Sequence, residues 1–433
     1  MRILIVSCEA WRDTNNGGNV LSNIFSAFPD AEIAQIYCSG EQPQNTVCQR
    51  YYQISDTMLL TATPGRKLDL KDYSGETQLQ NSVVENKIKN NIPFIFKDAA
   101  LLVRELLWYI STWKSGQLEQ FILSFKPDVI FAPCYSYFHV SRLALYVKKI
   151  AGCPMISYIS DDNYSLKQIK FSPCFWINRF ITRKWIRRLF AECSLVYTMT
   201  DLQKNEYEAL FGCPMKVLCK SADFHDSEKT VGKPIRLIYA GGLYLNRWKV
   251  LAKLSNALAK INHDQVNAEL HIYSGSKLDS WKAKKLNDGK NSFLHAAISF
   301  DELVQKYHES DVALHVEAFD IKNRQITRLS FSTKIIDCMS SGCAIMAIGP
   351  KGQAGIEYLS ANEAAICIHN VNEFYKTLKN LVENKSIIQE YSKKAILLGR
   401  KNHAREDIEK MLIDDFQKVV SACDRHISAP FEK

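Results

Sequence analysis

The chain has 433 residues, of which 46% are hydrophobic and 23% are charged. This composition is typical of a soluble globular protein and excludes collagen-like, low-complexity and wholly disordered chains, and the length predicts two or three domains. The 55 lysines and arginines outnumber the 46 acidic residues, which gives a net charge of +9. A basic excess of this size fits a nucleic acid, an anionic membrane or a phosphorylated ligand without choosing among them.

The thirteen cysteines favour a reducing compartment. No two of them have the CxxC spacing of zinc ribbons or thioredoxin-like proteins. The N-terminal sequence has no signal-peptide pattern, and no charge-free apolar run reaches the roughly 20 residues that span a bilayer. We therefore expect a cytoplasmic protein in which four cysteines, within or beside apolar runs, pack as small hydrophobic residues: Cys8, Cys38, Cys134 and Cys193.

The first half of the chain alternates between predicted strands and helices, which indicates a parallel sheet covered on both faces. A glycine loop, TNNGGN, follows the first strand and precedes a helical pattern over 20–28. The polar stretch 57–92 interrupts the alternation, and we expect it to leave the sheet. The strands are predicted at 3–6, 32–38, 128–133, 154–160 and 194–199.

The polar stretch 221–234 has no apolar run and is predicted to link two domains. A second alternating series follows it and ends in a charged helical tail over 386–425. The strands of this series are predicted at 235–240, 269–273, 312–316, 344–348 and 364–368, and its helices at 247–261, 301–308, 333–340 and 371–383. We therefore predict an α/β protein with two Rossmann-like, doubly wound domains facing across a cleft: residues 1–225, residues 233–403, and a C-terminal helix, 404–433, that crosses back to the first domain.

Two glycines follow the first strand of the second series, in IRLIYAGGLYLNRWK. Gly241 and Gly242 let backbone N–H groups approach an anion, and the N-terminus of the following helix adds partial positive charge. Arg247 or Lys249 can then neutralise a diphosphate. The alternative is a plain strand-to-helix turn with solvated basic residues, and no GxGxxG or GxxxxGK[ST] motif decides between the two.

A second group of polar residues surrounds the segment FSTKIIDCMSSG. Ser332 or Thr333 is predicted to be the N-cap of a helix that carries Lys334 in its first turn. That arrangement suits a diphosphate, and Asp337, one turn further on, can hold a ribose diol with two charge-assisted hydrogen bonds. Glu317 ends the preceding strand, in LHVEAFD, where a carboxylate can bind sugar hydroxyls.

The run of residues 235–381 resembles the C-terminal half of retaining GT-B glycosyltransferases, especially family four and its bacterial surface-polysaccharide enzymes. Those proteins carry a glutamate, seven residues and a second glutamate before a small-residue helix end. Glu317 matches the first acid, and Asp337 with CMSSG matches the second, although nineteen residues separate the two here. The resemblance implies that Arg247, Lys334 and the helix start bind the donor diphosphate, with no metal ion or other cofactor.

The resemblance is looser in the N-terminal half, where Gly17 and Gly18 match the family's glycine loop and assign Gly18 to donor binding. The family often has a catalytic-site histidine after the fifth strand, where this chain has ISYISDDN. Asp161 is therefore assigned a catalytic role together with Glu317, with Asp162 as the alternative for that position.

Paired acids at the end of a strand permit two other interpretations. One is a metal-dependent GT-A transferase, although that fold has one sheet and the pattern here predicts two. The other is a simple cap of the following helix. His139 is the only histidine nearby in the sequence, and a lone histidine after an aromatic run is predicted to be structural.

Residues 170–190 form a basic, aromatic cluster with six lysines or arginines and no acidic residue. As a helix, this cluster is expected to pack on the sheet through Ile181, Trp185 and Leu189. Tryptophan and phenylalanine among arginines are typical of a membrane interface, so we expect contact with an anionic membrane surface. The alternatives are a solvated helix and a nucleic-acid site, which no motif supports. A second apolar helix, over 94–113, packs as core or helps to form an acceptor surface.

Together these features predict a hexosyltransferase-like glycosyltransferase. It would move a sugar from a nucleotide diphosphate sugar to a saccharide or lipid-linked acceptor, with retention, in cell-surface polysaccharide or glycoconjugate synthesis. The expected location is the inner face of the plasma membrane, by peripheral attachment, and nucleic acid is not an expected partner. The alternative is a catalytically inactive GT-B scaffold or partner subunit at the membrane, which the missing histidine and the altered acid spacing favour.

Overall fold

The computed structural model describes residues 1–13, 16–63, 65–69, 93, 96–226 and 229–428. The chain divides into two compact units: one comprises residues 1–218 and 409–433, and the other comprises residues 219–408. Each unit is built around one sheet of predominantly parallel strands. This confirms the predicted α/β class with two Rossmann-like domains.

The sheet of the first unit consists of β1 (Arg2–Ser7), β2 (Glu32–Tyr37), β3 (Arg50–Gln53), β4 (Arg66–Asp69), β5 (Val129–Pro133), β6 (Met155–Ile159), β7 (Leu195–Thr198) and β8 (Met215–Val217). The strand order is β4-β3-β2-β1-β5-β6-β7-β8, and every pair is parallel except β3 with β4. The apolar residues of the central strands β1 and β5 are buried, as expected where both faces of a parallel sheet are covered.

The expectation that residues 57–92 leave the sheet is wrong for the first part of that stretch. Residues 66–69 form β4, which pairs antiparallel with β3 at the edge of the sheet, and Arg66 donates to the side chain of Gln53. An edge strand pairs on one side only, so it needs no continuous apolar run and gives a weak sequence signal. Residues 70–92 lie outside the described part of the chain.

The helices of the first unit are α1 (Asn16–Phe25), α2 (Asp56–Leu60), α3 (Lys97–Ile110), α4 (Gly116–Phe125), α5 (Phe138–Ala151), α6 (Pro173–Ala191) and α7 (Asp201–Phe211). Local sequence sets several of their ends. Ser172 caps α6, Thr200 caps α7, and each side chain accepts a backbone N–H bond from the first turn. Gly152 and Gly212 end α5 and α7 in the left-handed conformation that favours glycine.

The second unit contains β9 (Ile235–Ala240), β10 (Ala268–Tyr273), β11 (Ser292–His295), β12 (Val312–Val316), β13 (Ala344–Ile348) and β14 (Ile366–Ile368). The order is β11-β10-β9-β12-β13-β14, and all pairs are parallel. This is the doubly wound order of dinucleotide-binding sheets, in which the winding reverses between the first and fourth strands. The reversal therefore lies between β9 and β12.

The helices of the second unit are α8 (Arg247–Ile261), α9 (Ser280–Leu286), α10 (Phe300–His308), α11 (Ile321–Thr327), α12 (Lys334–Ser340), α13 (Ala354–Ala361), α14 (Phe374–Glu383) and α15 (Ser386–His403). Strand β11 and helices α9, α11 and α13 are short and were not predicted. The stretch 221–234 is anchored to this unit in its described residues: Lys229 donates to the carbonyl oxygens of Tyr307 and Ser341, and Gly232 donates to Asp311.

The charged tail forms two helices, because the chain leaves the helical conformation at Ala404 before α16 (Arg405–Ser428) begins. From residue 409 onward α16 belongs to the first unit. There Asp415 accepts a hydrogen bond from Tyr197 at 3.0 Å, and Phe416 packs edge-on against Phe25. No helix in the described part of the chain has both the length and the apolar character needed to cross a membrane.

All thirteen cysteines are free thiols, and the four that were predicted to pack as small hydrophobic residues are buried. Burial raises the pKa of Cys8 and of Cys134 to about 12, so both remain neutral thiols near neutral pH.

Candidate functional site

The candidate donor site lies where the winding of the second sheet reverses. Ligands of such sheets bind outside the carboxyl ends of the strands at this point. Gly241 and Gly242 follow β9, and Glu317 follows β12, so the fold brings the two predicted groups to the same edge. A small pocket at this edge is lined by side chains that include Arg247 and Lys334.

Arg247 and Glu317 form a largely buried ion pair in this pocket. Nη2 of Arg247 donates to both carboxylate oxygens, at 2.8 and 3.1 Å. Burial raises the pKa of Glu317 above its usual value, although the positive charge of Arg247 pulls it down. The bonds to Glu317 use Nη2 alone, so Nε and Nη1 of Arg247 remain able to donate to a ligand.

The ammonium group of Lys334 lies beside the glycine loop. A Cβ atom built on Gly241 would be 2.7 Å from Nζ of Lys334. The lysine side chain is exposed as a whole, but its charged end reaches the pocket. Burial of that end and the nearby charge of Arg247 lower the pKa of Lys334. Two cations therefore approach the same point, and among the described residues only Arg247 forms an ion pair with a carboxylate there, which favours an anionic ligand.

The predicted side-chain cap of α12 is not formed. Thr333 stands at the N-cap position, but its backbone is already helical, with φ −56° and ψ −22°, and its side chain accepts no capping hydrogen bond. Backbone bonds from Ile335 to Ser332 and from Ile336 to Thr333 continue the turn instead. The helix also has only seven residues, so its dipole carries little of the charge stabilisation that the sequence assigned to it.

Asp337 lies one turn into α12 and is held by a lysine that the sequence analysis missed. Nζ of Lys220 donates to Oδ1 of Asp337 at 2.5 Å, and the two side chains are 18% and 20% exposed. Lys220 also lies 5.5 Å from the ring centre of Phe300. This contact uses Oδ1, so Oδ2 of Asp337 remains able to accept a bond from a ligand hydroxyl.

Lys249 does not join this group. Its side chain is exposed, and Nζ lies 5.8 Å from the ring centre of Trp248. Residues two positions apart on a helix point to different sides, so α8 cannot present both Lys249 and Arg247 to the pocket. Of the two residues that the sequence offered, the structure places Arg247 at the pocket. Gly242 lies in the loop that follows β9, where its carbonyl oxygen accepts a hydrogen bond from the hydroxyl group of Tyr239 at 2.7 Å.

His315 is a further pocket residue that the sequence analysis missed. It lies on β12 two positions before Glu317, on the same side of the strand, and Nε2 is 3.9 Å from Oε1 of that glutamate. Burial, followed by the charges of Arg247 and Lys334, lowers the pKa of His315 to about 3. The imidazole is therefore neutral near neutral pH and adds no charge to the pocket. In the sequence, the only signal for a histidine in this pocket was its position two residues before Glu317, the acid that follows β12.

Gly18 lies in the first unit, in the first turns of α1. A Cβ atom at this position would lie 1.9 Å from the carbonyl oxygen of Arg12, so the backbone can approach this closely only at a glycine. The Gly18 carbonyl accepts a bond from Ser22 at 2.9 Å.

Asp161 and Asp162 follow β6 and differ in their surroundings. The carboxylate of Asp162 is buried and accepts bonds from the Ser165 N–H at 2.8 Å and from the Tyr207 hydroxyl at 3.0 Å. Although burial raises the pKa of Asp162, these bonds lower it below its usual value. Asp162 therefore stabilises the loop, and the exposed Asp161 is the acid that can meet a ligand. The GT-A alternative is wrong, because the chain has two sheets.

His139 is a buried structural residue, as predicted. Nδ1 lies 2.7 Å from Oε1 of Glu105, and the ring stacks on Trp108 with centres 4.4 Å apart. The other oxygen of Glu105 accepts the backbone N–H of His139 at 3.0 Å, which satisfies a free N–H at the start of α5.

The basic cluster 170–190 forms α6 and the residues before it. Of the face expected to pack on the sheet, Leu189 is buried, whereas Ile181 and Trp185 are half-buried. Arg179 is also buried and donates to the carbonyl oxygens of Asp162 and Ser165. The positive charge of the cluster is therefore only partly available to a partner.

No protein-family model matches the chain, and no curated protein matches it by sequence. Solved structures match it in fold. The sucrose-phosphate synthase of Thermosynechococcus elongatus has a TM-score of 0.64 at 11% identity, over 98% of this chain and 100% of that chain. The trehalose 6-phosphate synthase of Burkholderia multivorans has a TM-score of 0.61 at 12% identity, over 100% and 99%. Anabaena HepE in complex with UDP has a TM-score of 0.60 at 12% identity, over 96% and 100%.

These similarities extend over nearly the whole of both chains, so they describe the complete two-unit architecture rather than one Rossmann-like unit. They agree with the resemblance that the sequence motifs carried. The protein therefore has the fold of the GT-B glycosyltransferases.

Proposed function

We propose that this protein is a glycosyltransferase that moves a sugar from a nucleotide diphosphate sugar to a saccharide or lipid-linked acceptor. The observation that carries the proposal is the convergence of Arg247, Lys334 and Glu317 at the switch point of a GT-B second unit. A uridine nucleotide is the first donor to test, because HepE, which has the same fold, was solved with UDP.

In the proposed reaction, the bond between the anomeric carbon and the distal phosphate oxygen breaks, and negative charge grows on the departing diphosphate. The oxygen of the acceptor hydroxyl bonds to the anomeric carbon, and its proton passes to the departing diphosphate. Arg247 and Lys334 stabilise that charge through hydrogen bonds in a partly buried pocket, where such bonds are stronger than in water. Glu317 orients the Arg247 fork and accepts bonds from sugar hydroxyls, and Asp337 accepts a bond from the ribose. Ser332 and Thr333 border the phosphates through their hydroxyl groups.

The proposed stereochemistry is retention, in which the departing diphosphate assists the incoming hydroxyl on the same face of the sugar. In the first unit, we assign Gly18 to the donor loop and Asp161 to the acceptor hydroxyl. The proposed setting is synthesis of cell-surface polysaccharide or glycoconjugate in the cytoplasm. Contact with an anionic membrane through residues 170–190 would bring the enzyme to lipid-linked acceptors.

Calorimetry with UDP and with uridine tests the diphosphate site. Arg247→Ala and Lys334→Ala should each weaken UDP binding more than uridine binding, because the lost charge faces only the phosphates. Lys249→Ala is the matched control: it removes a positive charge from the same helix, on a side that faces away from the pocket. Equal losses for UDP and uridine, or an effect of Lys249→Ala as large as that of Arg247→Ala, would contradict the assignment.

A panel of nucleotide sugars then tests the reaction itself. Release of the nucleoside diphosphate, by transfer or by slow hydrolysis, is the expected result with at least one donor. Binding without turnover across the panel would favour the inactive scaffold. One observation supports that second candidate: both ligand-binding acids are already engaged, Glu317 by Arg247 and Asp337 by Lys220.

A further inference from the structure

Helix α3 presents its apolar side to solvent. Val103, Leu106 and Ile110 are 65%, 45% and 76% exposed, and they lie on one face because their spacing follows the helical repeat. The opposite face carries Glu105 and Trp108, which are both fully buried. A surface helix normally has the reverse arrangement, with its apolar stripe toward the core.

Polar bonds hold α3 in this orientation. Glu105 accepts two hydrogen bonds from His139, through the backbone N–H and the ring. Trp108 and Arg104 donate to the two carboxylate oxygens of Asp56, each at 2.7 Å. The buried carboxylate of Glu105 is therefore well paired. Turning the helix to bury its apolar stripe would leave this carboxylate without its hydrogen-bond partners.

The apolar surface continues onto α6, which packs against α3. Ile177 and Phe180 are 50% and 57% exposed on the outer side of α6, and Phe171, just before that helix, is 98% exposed. An ion pair of 3.0 Å between Lys170 and Asp98 ties this segment to the start of α3. Clusters of exposed apolar side chains on a protein surface often mark a site of protein or membrane contact.

A basic border follows directly along α6. Lys184 and Arg188 are exposed on the same side of the helix as Ile177, one and two turns beyond Phe180, and residues 166–191 contain no acid. Arg183 and Arg187 are less available, because both donate to Tyr164. Apolar side chains beside a border of uniform positive charge complement the acyl chains and anionic headgroups of a bilayer.

We infer that the outer faces of α3 and α6 form one membrane-insertion surface, in which Val103, Leu106, Ile110 and Phe180 enter the bilayer interface and Lys184 and Arg188 contact the headgroups. Apolar burial supplies most of the attachment, and the charges select an anionic surface. This inference rests on the membrane contact in the proposed function and is independent of the proposed chemistry.

The test is co-sedimentation of the full chain with vesicles of equal parts phosphatidylglycerol and phosphatidylcholine. Wild type should stay bound when salt rises from about 0.1 M to about 1 M, where the screening length falls from about 10 Å to about 3 Å. The triple variant Val103→Ser, Leu106→Ser, Ile110→Ser should lose on the order of tenfold or more in vesicle partition at both salt concentrations. Lys184→Gln with Arg188→Gln should weaken binding at low salt only.

The matched control replaces three exposed leucines on other faces, Leu123, Leu210 and Leu397, by serine and should bind vesicles as wild type does. UDP affinity and thermal stability, measured on the same samples, should not change in any variant. Equal vesicle binding by the α3 variant and the control would overturn the inference. So would a large loss of stability in the α3 variant, which would mean that the chain itself covers the face. Self-association of wild type that the α3 variant abolishes would assign the surface to a second copy instead.

Discussion

Replacing Arg247 by methionine removes its charge while keeping an unbranched side chain, and it tests two roles of this residue at once. In the structure Arg247 holds a glutamate that is 9% exposed, so the variant leaves the Glu317 carboxylate buried without its charged partner. Breaking a buried ion pair costs about 3–5 kcal/mol of unfolding free energy. Because the arginine side chain keeps 16% of its surface exposed, we expect the lower end, about 3 kcal/mol.

The pH dependence of that loss has a definite sign. The pKa of Glu317 is already raised by burial, and removing Arg247 raises it further, so the folded variant binds a proton more readily than the unfolded chain does. A raised carboxylate pKa makes stability fall as pH rises through it. The deficit of the variant relative to wild type should therefore shrink as pH is lowered from about 7 toward about 5.

The double variant Arg247→Met, Glu317→Gln separates stability from ligand binding. It removes the stranded charge, so urea unfolding should recover most of the lost stability, whereas UDP affinity measured by calorimetry should stay low because the cation is still missing. If the double variant binds UDP as tightly as wild type, Arg247 serves only to hold Glu317 and does not contact the diphosphate. If Arg247→Met loses no stability, the ion pair does not contribute as the geometry implies.

Three further predictions follow from single contacts. Asp337→Ala should weaken UDP binding by roughly 1.5–3 kcal/mol in calorimetry. Lys220→Met, which leaves the Asp337 carboxylate in place without its lysine partner, should not weaken UDP binding. Equal losses of affinity in the two variants would mean that UDP binding depends on the ion pair rather than on the carboxylate itself. The pKa of Lys334 is lowered by burial and by the charge of Arg247, so UDP affinity should fall with rising pH earlier than the deprotonation of an ordinary lysine would allow, and Lys334→Arg should flatten the titration. Burial lowers the pKa of His403 to about 4 and that of His315 to about 3, so as the pH falls each histidine is protonated in the unfolded chain before it is protonated in the folded chain. In urea unfolding, each histidine should therefore cost about 2 kcal/mol of stability by about pH 5, and His403→Gln should reduce that loss.

The central strands of both sheets could be predicted because they are buried on both faces, which forces nearly continuous apolar runs such as those of β1 and β13. The strands that were missed, β3, β4, β8 and β11, have three or four residues each and lie at or next to a sheet edge. An edge strand is stabilised largely by backbone bonds to one neighbour, and those bonds leave no pattern in the side chains.

The candidate site could be predicted where the acting residue follows a strand, as Glu317 does, because the fold fixes where a strand ends. Partners from distant parts of the chain could not be predicted. Lys220 is 117 positions from Asp337, and no local pattern marks the pair. The orientation of α3 was equally hidden: its apolar periodicity shows that one face is hydrophobic, but the bonds from His139 to Glu105 and from its own Arg104 and Trp108 to Asp56 determine which face is buried.

The charge of the donor pocket explains why its histidine must be neutral. Arg247 and Lys334 bring two positive charges, and Glu317 offsets one of them, so the free pocket keeps an excess of about one positive charge for an incoming diphosphate. A protonated His315 beside Glu317 would compete with Arg247 for the carboxylate and would turn the guanidinium out of its position. Burial and the two cations prevent this by lowering the histidine pKa to about 3. The neutral ring therefore leaves Arg247, among the described residues, as the charged partner of Glu317, and the hydrogen bonds between the two hold the guanidinium group at the pocket.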